Sequence, residues 1–176
     1  MPHLVYPDVR YRDSFLAALG EPDPLAAGAP FRPDSDRVDI PLARIRSDFA
    51  GYVAQRHAEA HEPPWPGAVT ATALWWVEGE EYLGRVSIRH ELSDALRSHG
   101  GHLGYEVRPS ARGRGHATAM LRAALPWAAK LGIDPALMTC DVINVASRRV
   151  IEKSGGSLVD EDGETCWYHL PTGASG

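Results

Sequence analysis

The stretch Gly104-Tyr-Glu-Val-Arg-Pro-Ser-Ala-Arg-Gly-Arg-Gly-His-Ala-Thr118 decides the fold. Its first half alternates like a strand and stops at Pro109. Its second half is a glycine-rich turn that opens onto the strongest helical pattern in the chain, 115–131. There Ala119, Met120, Ala123, Ala124, Trp127 and Leu131 make an apolar stripe, and Gly132 ends it. Pro126 lies inside the pattern and predicts a kink. A helix N-terminus presents unpaired N–H groups and about half a positive charge. Glycines let backbone approach an anion closely, so strand, turn and helix together predict a phosphate cradle. Arg108, Arg112, Arg114 and Arg122 fall in a run, 108–122, that contains no acidic residue.

Outward from this unit the texture is regular. Upstream, β-rich runs at 69–77 and 82–88 flank a turn at Gly79 and predict a hairpin; 102–107 is the third strand. Residues 91–100 are polar, with one helical turn. Downstream come a strand at 136–142, a helix at 145–153 stopped by Gly155-Gly156, and strands at 157–160 and 165–170 joined at Asp162-Gly163. Near the start, helices are expected at 11–19 and 42–60. The proline-rich segment between them, 20–41, reads as a loop against the surface. The order α, α, β, β, β, α, β, α, β, β predicts a single α/β domain of the α+β type over 1–176. Its central sheet is mixed, mostly antiparallel, and flanked by helices.

Composition bounds what such a domain does. The chain has 176 residues, 18 basic against 23 acidic, a net charge of −5 and a pI near 5.9. That balance argues against binding nucleic acid through its phosphates. No apolar run is long enough to cross a membrane, and the N-terminus lacks the pattern of a secretory signal. Two cysteines, Cys140 and Cys166, exclude a disulfide scaffold and a four-cysteine zinc site, and point to a reducing cytoplasm. His57 and His61 stand four apart, but the glutamate between them is not in the metalloprotease position; they read as a solvated helix face. Cys140 reads as a small buried apolar residue.

Two familiar phosphate motifs fail here. No Lys-Ser or Lys-Thr follows the glycines, as a P-loop requires, and the third glycine of a dinucleotide fingerprint would fall at Thr118. A third pattern fits. Arg112-Gly-Arg-Gly-His-Ala117 resembles the pyrophosphate loop of the GNAT superfamily of acyl-CoA-dependent N-acyltransferases. Downstream, Asn144-Val-Ala-Ser147, a helix and Gly155-Gly156 resemble that family's next strand-to-helix segment, at the family's spacing. The likeness covers about 69–170.

The resemblance implies an acyl-CoA N-acyltransferase fold in which strands 102–108 and 136–142 splay apart. Acetyl-CoA is then the co-substrate, with no metal. Its pantetheine would pair along Glu106–Arg108, with the Val107 N–H near the reacting carbonyl. Its pyrophosphate would rest on the backbone of Arg112, Gly113, Arg114, Gly115, His116 and Ala117. Asn144 would reach the pantetheine or nearby backbone, with Ser147 one turn on. Arg112, Arg114 and Arg149 are candidates for the nucleotide phosphates. Where many members carry a tyrosine acid, this chain has Ile151. The acid for the leaving thiolate is then another group or water, with His102, Tyr105 and Glu106 as the candidates along the third strand. Glu106 is the preferred proton acceptor, and Tyr105 reads as a core residue in such a strand.

The expected reaction is acetyl transfer to a primary amine of a small molecule. A peptide N-terminus, a catalytically weak acyl-CoA sensor and a nucleotide-phosphate binder are the alternatives. Trp65, Trp75 and Trp76 are candidates to line the acceptor pocket, although one of the adjacent pair must face the core. His90-Glu91 could face the acceptor. The loops 20–41, 61–68 and 90–101 would shape that pocket, and a homodimer is left open.

Overall fold

A computed structural model describes residues 1–32 and 40–173. Seven strands and six helices follow in chain order: β1 His3–Val5, α1 Arg12–Ala18, α2 Leu42–Ser47, α3 Phe49–Ala58, β2 Ala71–Glu78, β3 Glu81–Arg89, α4 Asp94–Ser98, β4 Leu103–Val107, α5 His116–Lys130, β5 Ala136–Asp141, α6 Val145–Lys153, β6 Ser157–Glu161 and β7 Thr165–Leu170. They form two antiparallel sheets, β1-β2-β3-β4 and β5-β7-β6.

Most expected elements stand where the pattern placed them. Three differences have plain causes. The strand β1 has only three residues, too few to show alternation, and it is held by pairing Val5 with Trp75 and His3 with Val77. The apolar spacing of 42–60 runs through a break. Asp48 leaves helical geometry and its carboxylate takes the Gly51 N–H at 2.9 Å, so α3 starts afresh. The segment 20–41 does not simply lie on the surface: its Phe31 and Ile40 are buried in the core, while its residues 33–39 fall outside the described set. The helix α5 continues through Pro126.

The first sheet has a core on each face. Trp75, Val77 and Tyr82 point to the N-terminal helices and pack with Tyr11, Phe15, Phe49 and Tyr52. The rings of Phe15 and Trp75 stack at 4.9 Å. Leu74, Trp76, Val86, Ile88, Leu103 and Val107 point the other way, onto α5, α6 and the second sheet. Period-two alternation therefore sends the neighbours Trp75 and Trp76 into different cores. Both are buried, so neither lines an acceptor pocket.

Among the described residues, hydrogen bonds link the two sheets where β4 and β5 begin. His102 N–H donates to the Leu137 carbonyl at 2.7 Å, and Gly100 N–H to Thr139 Oγ1 at 2.7 Å. Beyond that rung the two strands belong to separate sheets, and a gap opens between them.

Candidate active site

The gap is bounded by β4, β5, the turn before α5 and the start of α6. Arg108 N–H donates to the Leu83 carbonyl, so in the antiparallel alternation the backbone of Gly104 and Glu106 also faces β3. Leu103, Tyr105 and Val107 then turn their N–H groups to the gap. Side chains alternate too. Glu106 lies opposite Arg85, on the face of the N-terminal helices; Tyr105 lies on the α5 and α6 side.

The turn before α5 is built on two left-handed glycines, Gly113 at φ +76° and Gly115 at φ +81°. The first i to i−4 bond of the helix runs from Ala119 N–H to Gly115 carbonyl, and no side chain caps it. The N–H groups of 116–118 therefore precede the ladder and point out of the helix end. A Cβ at Gly113 or Gly115 would meet nothing within 4 Å, so the space before the turn is open. Arg114 is exposed beside it. This backbone can hold a pyrophosphate.

The arginines are less available than their spacing suggested. Arg108 is buried. Its guanidinium donates to the Glu21 carboxylate, to the Tyr82 carbonyl at 3.0 Å and to Ser14 Oγ at 3.3 Å. Arg112 donates through Nε to the Val107 carbonyl at 2.9 Å and through Nη2 to Asp23 at 2.9 Å. Neither side chain is a phosphate arm. Arg122 donates to the Lys153 carbonyl at the end of α6. Glu21 also accepts from the N–H of Ser110 at 2.9 Å and its hydroxyl at 2.8 Å. Burial alone would raise the Glu21 pKa, but Arg108 and these donors hold it below the ordinary value. The Asp23 carboxyl is likewise held low, chiefly by Arg112. Glu21 and Asp23 lie 87 and 89 residues before these partners.

At the start of α6, Asn144 is the cap: its Oδ1 accepts the Ser147 N–H at 3.0 Å. It thus reaches backbone of its own helix. Ser147 Oγ lies 2.9 Å from the Tyr105 hydroxyl. Burial raises the Tyr105 pKa against the opposing Ser147 bond, and it pushes the neighbouring Cys140 up to about 11. Cys140 thus lines the gap as a neutral thiol, half-buried rather than fully inside. Tyr105 packs against the core, as its strand position suggested, and it is also one of the candidate acids; its pairing with Ser147 is what the sequence did not show. The partners are 42 residues apart, although the N-x-x-S spacing already placed Ser147 on the first turn. Ile151 is fully buried and cannot reach the gap.

The two candidate bases separate. Glu106 Oε2 accepts from Arg85 Nε at 3.1 Å, on the sheet face toward α3. His102 does not face an acceptor: its Nδ1 accepts the Leu137 N–H at 2.9 Å. His116 is turned inward, its Nδ1 3.2 Å from the Trp76 indole nitrogen, which leaves only its backbone for the turn.

On the Glu106 face, a cavity of about 290 Å³ lies over Ser87 and Arg89, walled by Arg56 and Glu59 of α3, Trp65 and Leu96. The loops 61–68 and 90–101 both contribute to it. Arg56 and Glu59 are a buried ion pair at 2.6 Å. A larger cavity, about 700 Å³, is lined by His57, His61, Thr72 and His90, at the edge of β2. In the sheet order β3 lies between that edge and β4, whereas the smaller cavity lies over β3 itself, so the larger one stands farther from the parting of the sheets. His57 is tied to the Pro7 carbonyl at 2.7 Å, and His90 to Thr70 at 3.0 Å and Thr72 at 2.8 Å. Among the described residues, no group of three or more potential ligands could hold a metal ion, and no helix is long and apolar enough to cross a membrane.

Two antiparallel sheets part beside β4, with an uncapped glycine turn at the mouth of the parting. Residues 24–157 match the model of the acetyltransferase (GNAT) domain, and the chain belongs to that family. It is an acetyl-CoA-dependent acyltransferase, with acetyl-CoA as co-substrate.

Solved structures share the fold. RimL, a ribosomal L7/L12 alpha-N-protein acetyltransferase in complex with coenzyme A, is 17% identical with a TM-score of 0.66, over 99% of this chain and 96% of its own. RimJ of Mycobacterium smegmatis, in complex with CoA-disulfide, is 19% identical with a TM-score of 0.65, over 96% and 80%. MccE, the microcin C7 self-immunity acetyltransferase in complex with acetyl-CoA and AMP, is 15% identical with a TM-score of 0.63, over 97% and 92%. No curated protein sequence matches the chain.

Proposed function

We propose that the chain acetylates a primary amine of a small molecule, with acetyl-CoA entering the β4–β5 gap and the acceptor entering from the α3 side. The observation that carries this is the cavity of about 290 Å³ over Ser87 and Arg89 of β3, the strand beside β4, on the sheet face that Glu106 shares and opposite the Tyr105–Ser147 pair. Donor and acceptor then approach β4 from its two faces. A protein N-terminus is the second reading, and the likeness to RimL, whose substrate is a protein, favours it. A panel of small amines beside a panel of peptides, followed by thiol release, separates the two. A tight acetyl-CoA complex with no turnover on either panel would favour the sensor instead. The cytoplasmic reading rests on the free thiols of Cys140 and Cys166.

The residues divide the work as follows. The turn 112–117 and exposed Arg114 hold the pyrophosphate, and Asn144 holds the pantetheine side. Attack by the amine forms the C–N bond and breaks the C–S bond. The Val107 N–H faces the carbonyl oxygen as charge grows on it. Glu106 takes the surplus proton of the nitrogen, directly or through water. With Ile151 buried, the proton for the departing thiolate comes from the hydroxyls of Ser147 and Tyr105, which are protonated throughout the neutral range. Glu106→Gln should lower kcat by about 10²-fold or more, and Ser147→Ala with Tyr105→Phe by about ten-fold, at nearly constant KM for acetyl-CoA. A Glu106→Gln variant that keeps its full rate and its pH profile would reject the base.

A further inference from the structure

Among the described residues, the main-chain rung between the start of β4 and β5 is made by one residue, His102. The Leu137 carbonyl accepts the His102 N–H at 2.7 Å, and the Leu137 N–H donates to His102 Nδ1 at 2.9 Å. In a regular ladder, two main-chain groups of the neighbouring strand, an N–H and a carbonyl, would satisfy these groups. Here the imidazole replaces the second one, so the ladder can end after a single step. The close approach depends on Gly101, at φ +62°, where a Cβ would collide with the Leu137 carbonyl. Arg89 steadies the same corner, donating to the carbonyls of Gly100 at 3.2 Å and Gly101 at 3.1 Å.

We propose that His102 is a positioning residue: by accepting the Leu137 N–H it sets the angle at which β4 and β5 part, and thereby the affinity of the gap for acetyl-CoA. The proposal rests on the reading of that gap as the acetyl-CoA cleft. It assigns His102 a role other than that of a base, since the nitrogen that would take a proton is already committed to Leu137.

The chemistry makes the clasp sensitive to protonation. A neutral ring with Nδ1 as acceptor carries its hydrogen on Nε2. Protonating Nδ1 turns the acceptor into a donor that faces the Leu137 N–H, and the bond is lost. Burial, then the positive charges of Arg97 on α4 and Arg89 on β3, hold the His102 pKa below the ordinary histidine value. His99, on the loop before it, is turned to Thr165 Oγ1 at 3.1 Å. With a depressed pKa the clasp is intact at neutral pH and fails as pH falls through that lowered value.

The test compares the full-length protein with His102→Asn, His102→Gln and His102→Leu, reading kcat and the KM for acetyl-CoA between about pH 5 and 8. Asparagine can place its oxygen near the position of Nδ1 and does not titrate. Its KM should stay within about two-fold of the parent at pH 7.5 and lack the rise on the acid side. Glutamine, whose oxygen sits one bond farther out, and leucine, with no acceptor, should raise KM about ten-fold with little change in kcat, as for one lost hydrogen bond.

Should Gln or Leu leave KM unchanged, or should the acid-side rise persist in His102→Asn, the clasp is not what sets affinity. The second outcome decides the matter even if the bulkier variants fail to fold. A loss in kcat alone would return His102 to the role of a base. If the parent protein itself shows no saturable binding of acetyl-CoA, the reading of the gap fails, not the clasp.

Discussion

Replacing Gly115 with glutamate removes saturable acetyl-CoA binding, a loss of about a hundred-fold or more, while the protein stays folded. Gly115 sits at φ +81°, where an L-residue costs about 1–2 kcal/mol of backbone strain. That is a fraction of the stability of a typical domain. The new side chain meets nothing within 4 Å, so it needs no repacking and projects into the open space before the turn. There its carboxylate does two things. It can occupy the N–H groups at the start of α5 itself, as a carboxylate at a helix N-terminus does. It also sets a negative charge where the pyrophosphate must lie, and a hundred-fold loss needs only about 2.7 kcal/mol of repulsion and lost hydrogen bonding. Gly115→Ala carries the same strain without the charge, and should lose only several-fold. Isothermal titration of both variants, beside their circular dichroism, separates strain from charge. A folded Gly115→Glu protein with unaltered affinity would move the phosphate site elsewhere.

The second large effect is on stability. Arg108→Met strands the Glu21 carboxylate beneath the strand β4, with side-chain exposures of 9% for Arg108 and 17% for Glu21. Removing one member of a buried pair costs about 3–5 kcal/mol. The Ser110 bonds to Glu21 survive, and some solvent reaches it, so about 2–4 kcal/mol is expected here. For a chain of this size that is a fall in Tm of about 6–12 °C. The double variant Arg108→Met, Glu21→Gln should recover more than half, because it removes the stranded charge.

The pH dependence has a definite sign. Glu21 titrates below its ordinary value of 4.5 in the folded chain, so its contribution is complete above that value and fades as pH falls through the lowered one. The difference in Tm between the parent and the double variant should therefore narrow in acid. A constant difference would mean that the pair contributes by packing alone.

These residues also show where sequence reading stops. The glycine turn was legible because its signal is local: strand, glycines and helix start lie within fifteen residues, and each has its own physical signature. The strand pair β2–β3 and the helix α5 were legible for the same reason. Asn144 was singled out by the family resemblance alone, and its capping of α6 is what the structure adds. The roles of Arg108 and Arg112 were not legible. Counting acids between 108 and 122 measured charge along the chain, while the acids that answer them, Glu21 and Asp23, arrive from a loop that shows no periodicity. His102 failed similarly. Its partner is a backbone N–H, and any residue could have supplied that. The Tyr105–Ser147 pair joins a strand to a helix across the gap, and no spacing rule brings the two together.

The sheet β1–β4 separates two cores whose buried members are distinct, with Trp75 in one and Trp76 in the other. Mutational energies across this partition should add more nearly than within one core, because the buried side chains on the two faces belong to different clusters. A lineage could therefore redesign the layer of N-terminal helices, one residue at a time, with little repacking of the layer around α5 and α6. Such a scaffold can change what it acetylates while the machinery that delivers the acetyl group drifts hardly at all.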